Sequence, residues 1–357
     1  MDKNKIKKIL IIRLSALGDT IHTLPLANAI KKQFPTLQLD WIVEDKASKF
    51  IINNPLINNV YELPRKKWKK NKNKIQNIIE FFQIIKKIQK EKYDIVIDTQ
   101  QLLKSGIILG LSGGKRKITL DGGREFSYLF ANEIIKTGRK QFDISYHVVK
   151  RNLEIAKYLG CEDLKEEFIL PDFSKEYSNE IIEIISKIDK NKKTIVIAPA
   201  TTWENKHWTI DGWIEIINIL KNEFNIIITA TKAEENLTKK ILSNIKDKEN
   251  IVDLTGKTSL ADIVYIDKNA DIVITPDSGS CHIAWAVNKP YIISLFFATS
   301  AKRTAPFGDK YYSLSANISC SPCMKKRCQR SDKINECRKT ISPHEIINIV
   351  KKVLQQK

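Results

Sequence analysis

The stretch IIRLSALGDTIHTLP, residues 11–25, runs from a β-branched apolar segment into a glycine turn. It then presents an acid, a hydroxyl and an imidazole within four residues, Asp19 to His22. A carboxylate displayed at a strand end suits removal of a proton from a substrate hydroxyl. The same carboxylate can cap the next helix by accepting its unpaired backbone N–H groups, and both readings of Asp19 stand. His22 is open to acid–base work or to plain packing. Gly18 permits the turn, and Pro25 suits the first turn of a helix. The stretch lacks the G-x-G-x-x-G spacing that brings a dinucleotide diphosphate onto a helix start, which argues against a nicotinamide enzyme.

Three other strand ends carry chemistry of a similar kind. In DTQQLLKSG, residues 98–106, Lys104 sits just inside a helix start, where the macrodipole favours anions. It offsets that cost by meeting an anionic substrate, or it is simply solvated. In APATTWENKHW, residues 198–208, Thr201 and Thr202 offer hydroxyls and backbone donors directly after a strand, and Lys206 follows. That is a phosphate-holding pattern without the P-loop sequence. In ITPDSGSCHIAWAVNKP, residues 274–290, Asp277 ends an apolar strand and Ser278 and Gly279 lead into an apolar helix. Small side chains let a diphosphate reach helix-start N–H groups; a turn merely capped by Asp277 has the same sequence appearance.

Elements must place these ends together. Short β-rich runs fall at residues 8–13, 39–43, 94–99 and 117–120, and the rhythm restarts at 194–198, 226–230, 251–254, 271–275 and 291–296. Amphipathic segments lie between them, at residues 26–34, 75–90, 213–223 and 234–245. Strands alternating with helices mean parallel sheets covered on both faces. The 357 residues therefore divide into two Rossmann-like domains, 1–170 and 171–342, joined through ILPDFSKEYSNE. The last helix, 343–357, is free to pack back on the first domain or on the second.

A hydrophobic share of 42% excludes a disordered chain, and no apolar run is long enough for a transmembrane helix. The basic-then-apolar N-terminus is too short in its apolar part, and interrupted by Arg13, to be a signal peptide. The expected location is the cytoplasm. A net charge of +19 points to anionic partners. Lysine is abundant throughout, so its distribution says more than its total. The densest cluster, Arg65, Lys66, Lys67, Lys69 and Lys70 around Trp68, fits an anion or a membrane surface, while the rest of residues 65–92 also fits a solvated helix face. A nucleic-acid-binding protein is the other reading of this charge; no nucleic-acid module accompanies it.

Taken together, RLSALGDTIHTLP, LDWIVED, KYDIVIDTQQLLKSG, ATTWENKHW and PDSGSCHIAWAVNKP resemble the ADP-heptose:lipopolysaccharide heptosyltransferases of glycosyltransferase family 9. Within that family TTWENKHW is more similar to the enzymes that add the first heptose than to those that add the second. Two positions depart from the family pattern: Ser278 replaces a threonine, keeping the hydroxyl, and Gln101 stands where glycine is common, where it could line the cleft.

The resemblance implies an α/β GT-B fold, two Rossmann-like domains with mostly parallel sheets facing a central cleft. It implies inverting transfer of L-glycero-D-manno-heptose from ADP-L-glycero-β-D-manno-heptose to the Kdo of Kdo2-lipid A in lipopolysaccharide inner-core synthesis, with addition of the second heptose as the alternative. Asp19 matches the family's catalytic aspartate. Lys206 would neutralise the departing ADP; Thr201, Thr202, Ser278 and Gly279 would hold its phosphates; Asp277 and His282 would complete the donor site. Glu234, or else Glu235, would meet the ribose or adenine. Arg65, Lys66, Lys67, Lys69, Lys104 and Arg124 would bind acceptor anions, on the cytoplasmic face of an anionic inner membrane. No metal is implied for catalysis.

Cys320, Cys323, Cys328 and Cys337 form C-x2-C-x4-C-x8-C. In a reducing compartment four cysteines so close suggest a structural Zn²⁺ or a cluster; disulfide pairs and free thiols remain open. Cysteine-rich segments also occur in some family members that add the second heptose.

Overall fold

The computed structural model describes residues 6–139 and 143–355. The N-terminal residues 1–5, and residues 356–357 of the expected last helix, lie outside them. Two compact units meet at Asp172 and Phe173.

In the first unit the chain runs β1 (Lys8–Ile12), α1 (Leu17–Ile21), α2 (Leu24–Gln33), β2 (Gln38–Glu44), β3 (Asn59–Leu63), α3 (Arg65–Lys70) and α4 (Lys74–Lys90). It continues through β4 (Ile95–Asp98), α5 (Leu103–Leu111), β5 (Arg116–Leu120), β6 (Glu133–Ile135) and α6 (Val148–Tyr158). The sheet order is β3-β2-β1-β4-β5-β6 and every pairing is parallel. Such a sheet is covered on both faces, so its central strands read as unbroken apolar runs, as KILII and IVID do. Pro25 lies in the first turn of α2, and the Asn73 side chain caps α4 by accepting from the Gln76 amide.

The second unit repeats the plan. Its elements are α7 (Asn179–Lys187), β7 (Thr194–Ile197), α8 (Ile210–Leu220), β8 (Asn225–Ile228), α9 (Glu235–Leu242), β9 (Ile251–Asp253), α10 (Leu260–Asn269), β10 (Ile272–Pro276), α11 (Gly279–Val287), β11 (Tyr291–Phe296), α12 (Ala301–Thr304), β12 (Tyr311–Ser315) and α13 (Pro343–Gln355). The order β12-β11-β10-β7-β8-β9 is again all parallel. Its core sets Trp208 edge-on to Trp213, 5.0 Å between ring centres. Helix α13 adds Ile346, Ile347, Val350 and Val353 to that same core through α8. It therefore packs on the core of the second unit.

Strands β3, β6 and β12, absent from the sequence reading, are sheet edges. Edge strands are half-solvated, so NVYEL, EII and YYSLS carry polar residues that break the apolar signal. Between α6 and α7 the chain is largely extended.

Gln101 does not line an open site. It is fully buried with a left-handed backbone, φ 60°, which explains why glycine suits the position. Its amide nitrogen donates to the Leu120 carbonyl, and its oxygen accepts from Arg151 at 2.6 Å. These bonds offset the backbone cost. Both Gln101→Ala and Gln101→Gly lose the bonds, but only alanine keeps the strain. Urea unfolding should therefore place Gln101→Ala about 1 kcal/mol below Gln101→Gly in stability.

Candidate functional site

In a parallel sheet whose strand order reverses, the crossovers on either side of the reversal leave to opposite faces and open a crevice at the strands' carboxyl ends. The reversals here are β1/β4 and β7/β10.

At the first, Asp19 is the third residue of α1. Its Oδ2 accepts the Ala16 N–H at 3.1 Å, and its Oδ1 pairs with Arg13 Nη2 at 2.9 Å. The Arg13 side chain is 7% exposed and that of Asp19 is 40% exposed. A buried cation thus anchors a carboxylate that still faces solvent, so Asp19 both caps a helix start and is displayed. Arg13 is fixed in turn by donating to the Thr99 carbonyl at 2.6 Å. Ser15, four residues before Asp19, accepts from Lys104 Nζ at 3.1 Å. Lys104 also pairs with Glu44 Oε1 at 2.7 Å, and Arg65 Nε stands 3.7 Å from the same oxygen. Glu44 at the end of β2 therefore links Lys104 to Arg65, and Lys104 reaches Ser15 in the turn that leads to Asp19.

Arg124 is exposed, and its amide donates to the Gln101 carbonyl, which places it beside the β4 end. Lys66 and Lys69 are exposed on α3, whereas Lys67 is taken by Glu80 at 2.6 Å. His22 is buried, edge-on to His147 with ring centres 6.1 Å apart. The β4 turn is organised by Asp98, which accepts the Gln100 and Gln101 amides and the Ser105 hydroxyl. Burial pushes its carboxyl up to about 6 against those bonds and the Arg13 charge.

At the second reversal Asp277 is buried and fully engaged. Its Oδ2 meets Lys206 Nζ at 2.7 Å and accepts the Thr299 hydroxyl at 2.6 Å, while Oδ1 lies 3.5 Å from His282 Nε2. Burial alone would raise this carboxyl; the His282 hydrogen bond and the Lys206 charge override it and hold the group well below the usual carboxylate range. Asp277 therefore positions Lys206 and His282. The Lys206 ammonium also lies over the Trp203 ring, 4.9 Å from its centre. Thr201 is buried and donates to the Asp277 carbonyl, whereas Thr202 is exposed. Ser278 is the N-cap of α11, and its side chain makes no cap bond; its hydroxyl instead lies 3.0 Å from that of Thr275. With Gly279 exposed behind it, the helix start is open to an anion. Glu234 is used locally, accepting the Thr231 amide and hydroxyl, and Glu235 pairs with Lys232 and Lys239.

Sequence reading did not single out Arg13, Glu44 or Thr299. Arg13 stood inside the quoted motif and Thr299 follows an apolar strand, so strand-end polarity was their signal. Glu44 had none beyond its place in LDWIVED.

Cys320, Cys323, Cys328 and Cys337 are free thiols. Among the described residues no three potential ligands are gathered as a metal ion would need, these cysteines included. The Cys328 sulfur accepts the Asn335 amide at 3.4 Å, and that bond foremost lowers its thiol pKa.

The pattern that describes glycosyltransferase family 9 (heptosyltransferase) matches residues 81–334, well over half the chain. The chain belongs to glycosyltransferase family 9. A lipopolysaccharide heptosyltransferase 1 from Campylobacter coli is 27% identical over 97% of this chain and 98% of its own length. The Escherichia coli heptosyltransferase WaaC, solved with ADP, superposes with a TM-score of 0.74 at 20% identity over 97% of this chain and 99% of its own. The E. coli ADP-heptose lipopolysaccharide heptosyltransferase II gives 0.72 at 16% identity over 98% and 99%. This family-9 chain thus has the GT-B heptosyltransferase fold, and that fold is common to both subclasses.

The buried aspartates Asp98 and Asp277 should show opposite pH signatures. Asp277 titrates below its unfolded value near ~4, so its stabilisation is complete above that pH and is lost as pH falls further. Asp98 titrates above its unfolded value, so its contribution is complete below ~4 and is lost as pH rises through about 6. Urea midpoints measured from acid to neutral pH should show the wild-type advantage over Asp277→Asn growing with pH. The advantage over Asp98→Asn should shrink. Slopes of the same sign would contradict the assignment.

Proposed function

We propose that this glycosyltransferase transfers L-glycero-D-manno-heptose from ADP-L-glycero-β-D-manno-heptose to the Kdo of Kdo2-lipid A, with inversion at the anomeric carbon. The observation that carries the reading is the solvent-facing Asp19 carboxylate held by buried Arg13 at the β1 end. A carboxylate fixed by a guanidinium is suited to take the acceptor hydroxyl proton as that oxygen forms its bond to C1 of the heptose. The C1–O bond to ADP breaks with its electron pair leaving on the diphosphate. Lys206, Thr201, Thr202, Ser278 and Gly279 would meet that diphosphate, where a fixed cation and helix-start N–H groups stabilise the charge that develops. Asp277 holds Lys206 in place, His282 completes the cluster, and Glu234 would meet the nucleoside.

The acceptor carries carboxylates and phosphates, the chemistry that Lys104, Arg65, Arg124, Lys66, Lys69 and, less directly, Lys67 would recognise. Arg65 and Arg124 can each grip a carboxylate or phosphate through two parallel bonds, which a lysine cannot. The named relative of matching length adds its support for the first heptose over the second. No helix among the described residues is long and apolar enough to cross a membrane. We place the enzyme at the cytoplasmic face of the inner membrane as a peripheral protein. Nucleic acid is not a partner in this reading.

Product analysis with ADP-heptose decides the acceptor. Transfer to Kdo2-lipid A is expected; transfer only to an already heptosylated acceptor would assign the second step instead. Asp19→Asn should lower kcat by about 10²–10⁴-fold with ADP affinity unchanged by calorimetry, and near-normal turnover would remove Asp19 from its role. Since Lys206 supplies the positive charge, a chelator such as EDTA should leave the rate unchanged.

A further inference from the structure

Helix α4 carries an apolar stripe that the first unit does not cover. Ile85 and Ile88 pack into the core beside Leu10, Val96 and Trp68, with Phe81 and Ile84 partly buried against it. Ile75, Ile78, Ile79 and Phe82 follow the i, i+3, i+4, i+7 spacing of a separate face. They are 70%, 56%, 46% and 47% exposed. Four large apolar side chains in one row on the surface mark an interaction site, because isolated exposures are ordinary and contiguous ones are not.

The charges around the stripe select its partner. Residues 65–90 hold ten lysines and arginines against one acid, Glu80. That acid is consumed by Lys67 and by the Trp68 indole N–H at 2.9 Å. A groove of about 410 Å³ runs between α3 and α4. Trp68, Ile78 and Phe81 line it with apolar surface, and Arg65, Lys69 and Lys74 with positive charge. Apolar and cationic surface side by side is complementary to a phospholipid headgroup with the start of its acyl chain. A second copy of this chain is a poor partner, since self-pairing would set one cationic face against another.

We infer that α4 docks on an anionic phospholipid bilayer, lying in the interface with Ile75, Ile78, Ile79 and Phe82 in the acyl boundary and the α3–α4 cations among the phosphates. This is the arrangement of an interfacial amphipathic helix. It rests on the proposed membrane-borne acceptor only for the choice of bilayer as partner. It also adds to the cationic cluster an apolar term that salt does not screen.

The test is co-sedimentation of the full chain with vesicles of phosphatidylcholine and phosphatidylglycerol at 0.1 M and 0.5 M NaCl. A variant carrying Ile75→Gln, Ile78→Gln, Ile79→Gln and Phe82→Gln provides the comparison. All four positions face solvent, and circular dichroism checks that the variant folds. Wild type should bind anionic vesicles at both salts, and the variant should lose about tenfold or more in partitioning, most visibly at high salt. Its turnover on a lipid-free Kdo oligosaccharide should be unchanged. Equal vesicle binding by the two proteins would overturn the inference. So would a concentration-dependent dimer abolished by the variant without vesicle binding by wild type. Stripe-dependent vesicle binding by a chain that transfers no heptose would uphold the docking and reject the proposed function.

Discussion

Parallel strand order is the constraint on which the rest of this molecule depends. Each sheet starts in its middle, builds outward to one edge, then returns to the middle and builds to the other. At the return, helices on opposite faces cannot cover the same strand ends, and the gap fills with loop residues and helix starts. Asp19 with Lys104 in one unit, and Lys206 with Asp277 in the other, sit where that geometry leaves space and unpaired backbone donors.

Buried charge then gives those ends their rigidity. Arg13 and Asp277 are both nearly inaccessible, and each is held from more than one element. Arg13 ties β1 to the residue after β4 while holding Asp19. Asp277 ties the end of β10 to Lys206, to His282 on α11 and to Thr299 after β11. Removing one partner from such a group leaves a desolvated charge, so these residues resist drift more than their exposed neighbours do. The exposed Asp19 carboxylate and the partly buried Lys206 ammonium are thereby each fixed by an inaccessible counter-charge.

Much of this was legible in the residues. The central strands announce themselves as apolar runs because both their faces are covered, and Pro25 marks α2. The strand-end motifs were legible because turn glycines, helix-start hydroxyls and acids have local causes. Edge strands were not, since half-solvated segments such as NVYEL lose the pattern. Pairings across the chain were also hidden: nothing local says that Glu44 meets Lys104, or Asp277 Thr299. Gln101 was the instructive misreading. Its type suggested a side chain lining the cleft, whereas its burial, its backbone conformation and its bond to Arg151 make it a structural clamp. The exposed row on α4 was hidden because periodicity shows that a helix has apolar faces but not how many of them the fold covers.

Glu44 gives the cationic network a further property. Its one carboxylate oxygen already faces both Lys104 and Arg65. An anion arriving there would not find bare positive charge; it would have to displace a resident one. The free energy of capture is then the difference between two sets of ion pairs, not the full strength of either. Such an exchange favours ligands that reach both cations at once, and it lets Glu44 close back over them when the ligand leaves. A carboxylate that looks like an obstacle to anion binding would thus act as a reversible stopper, trading affinity for selectivity and release.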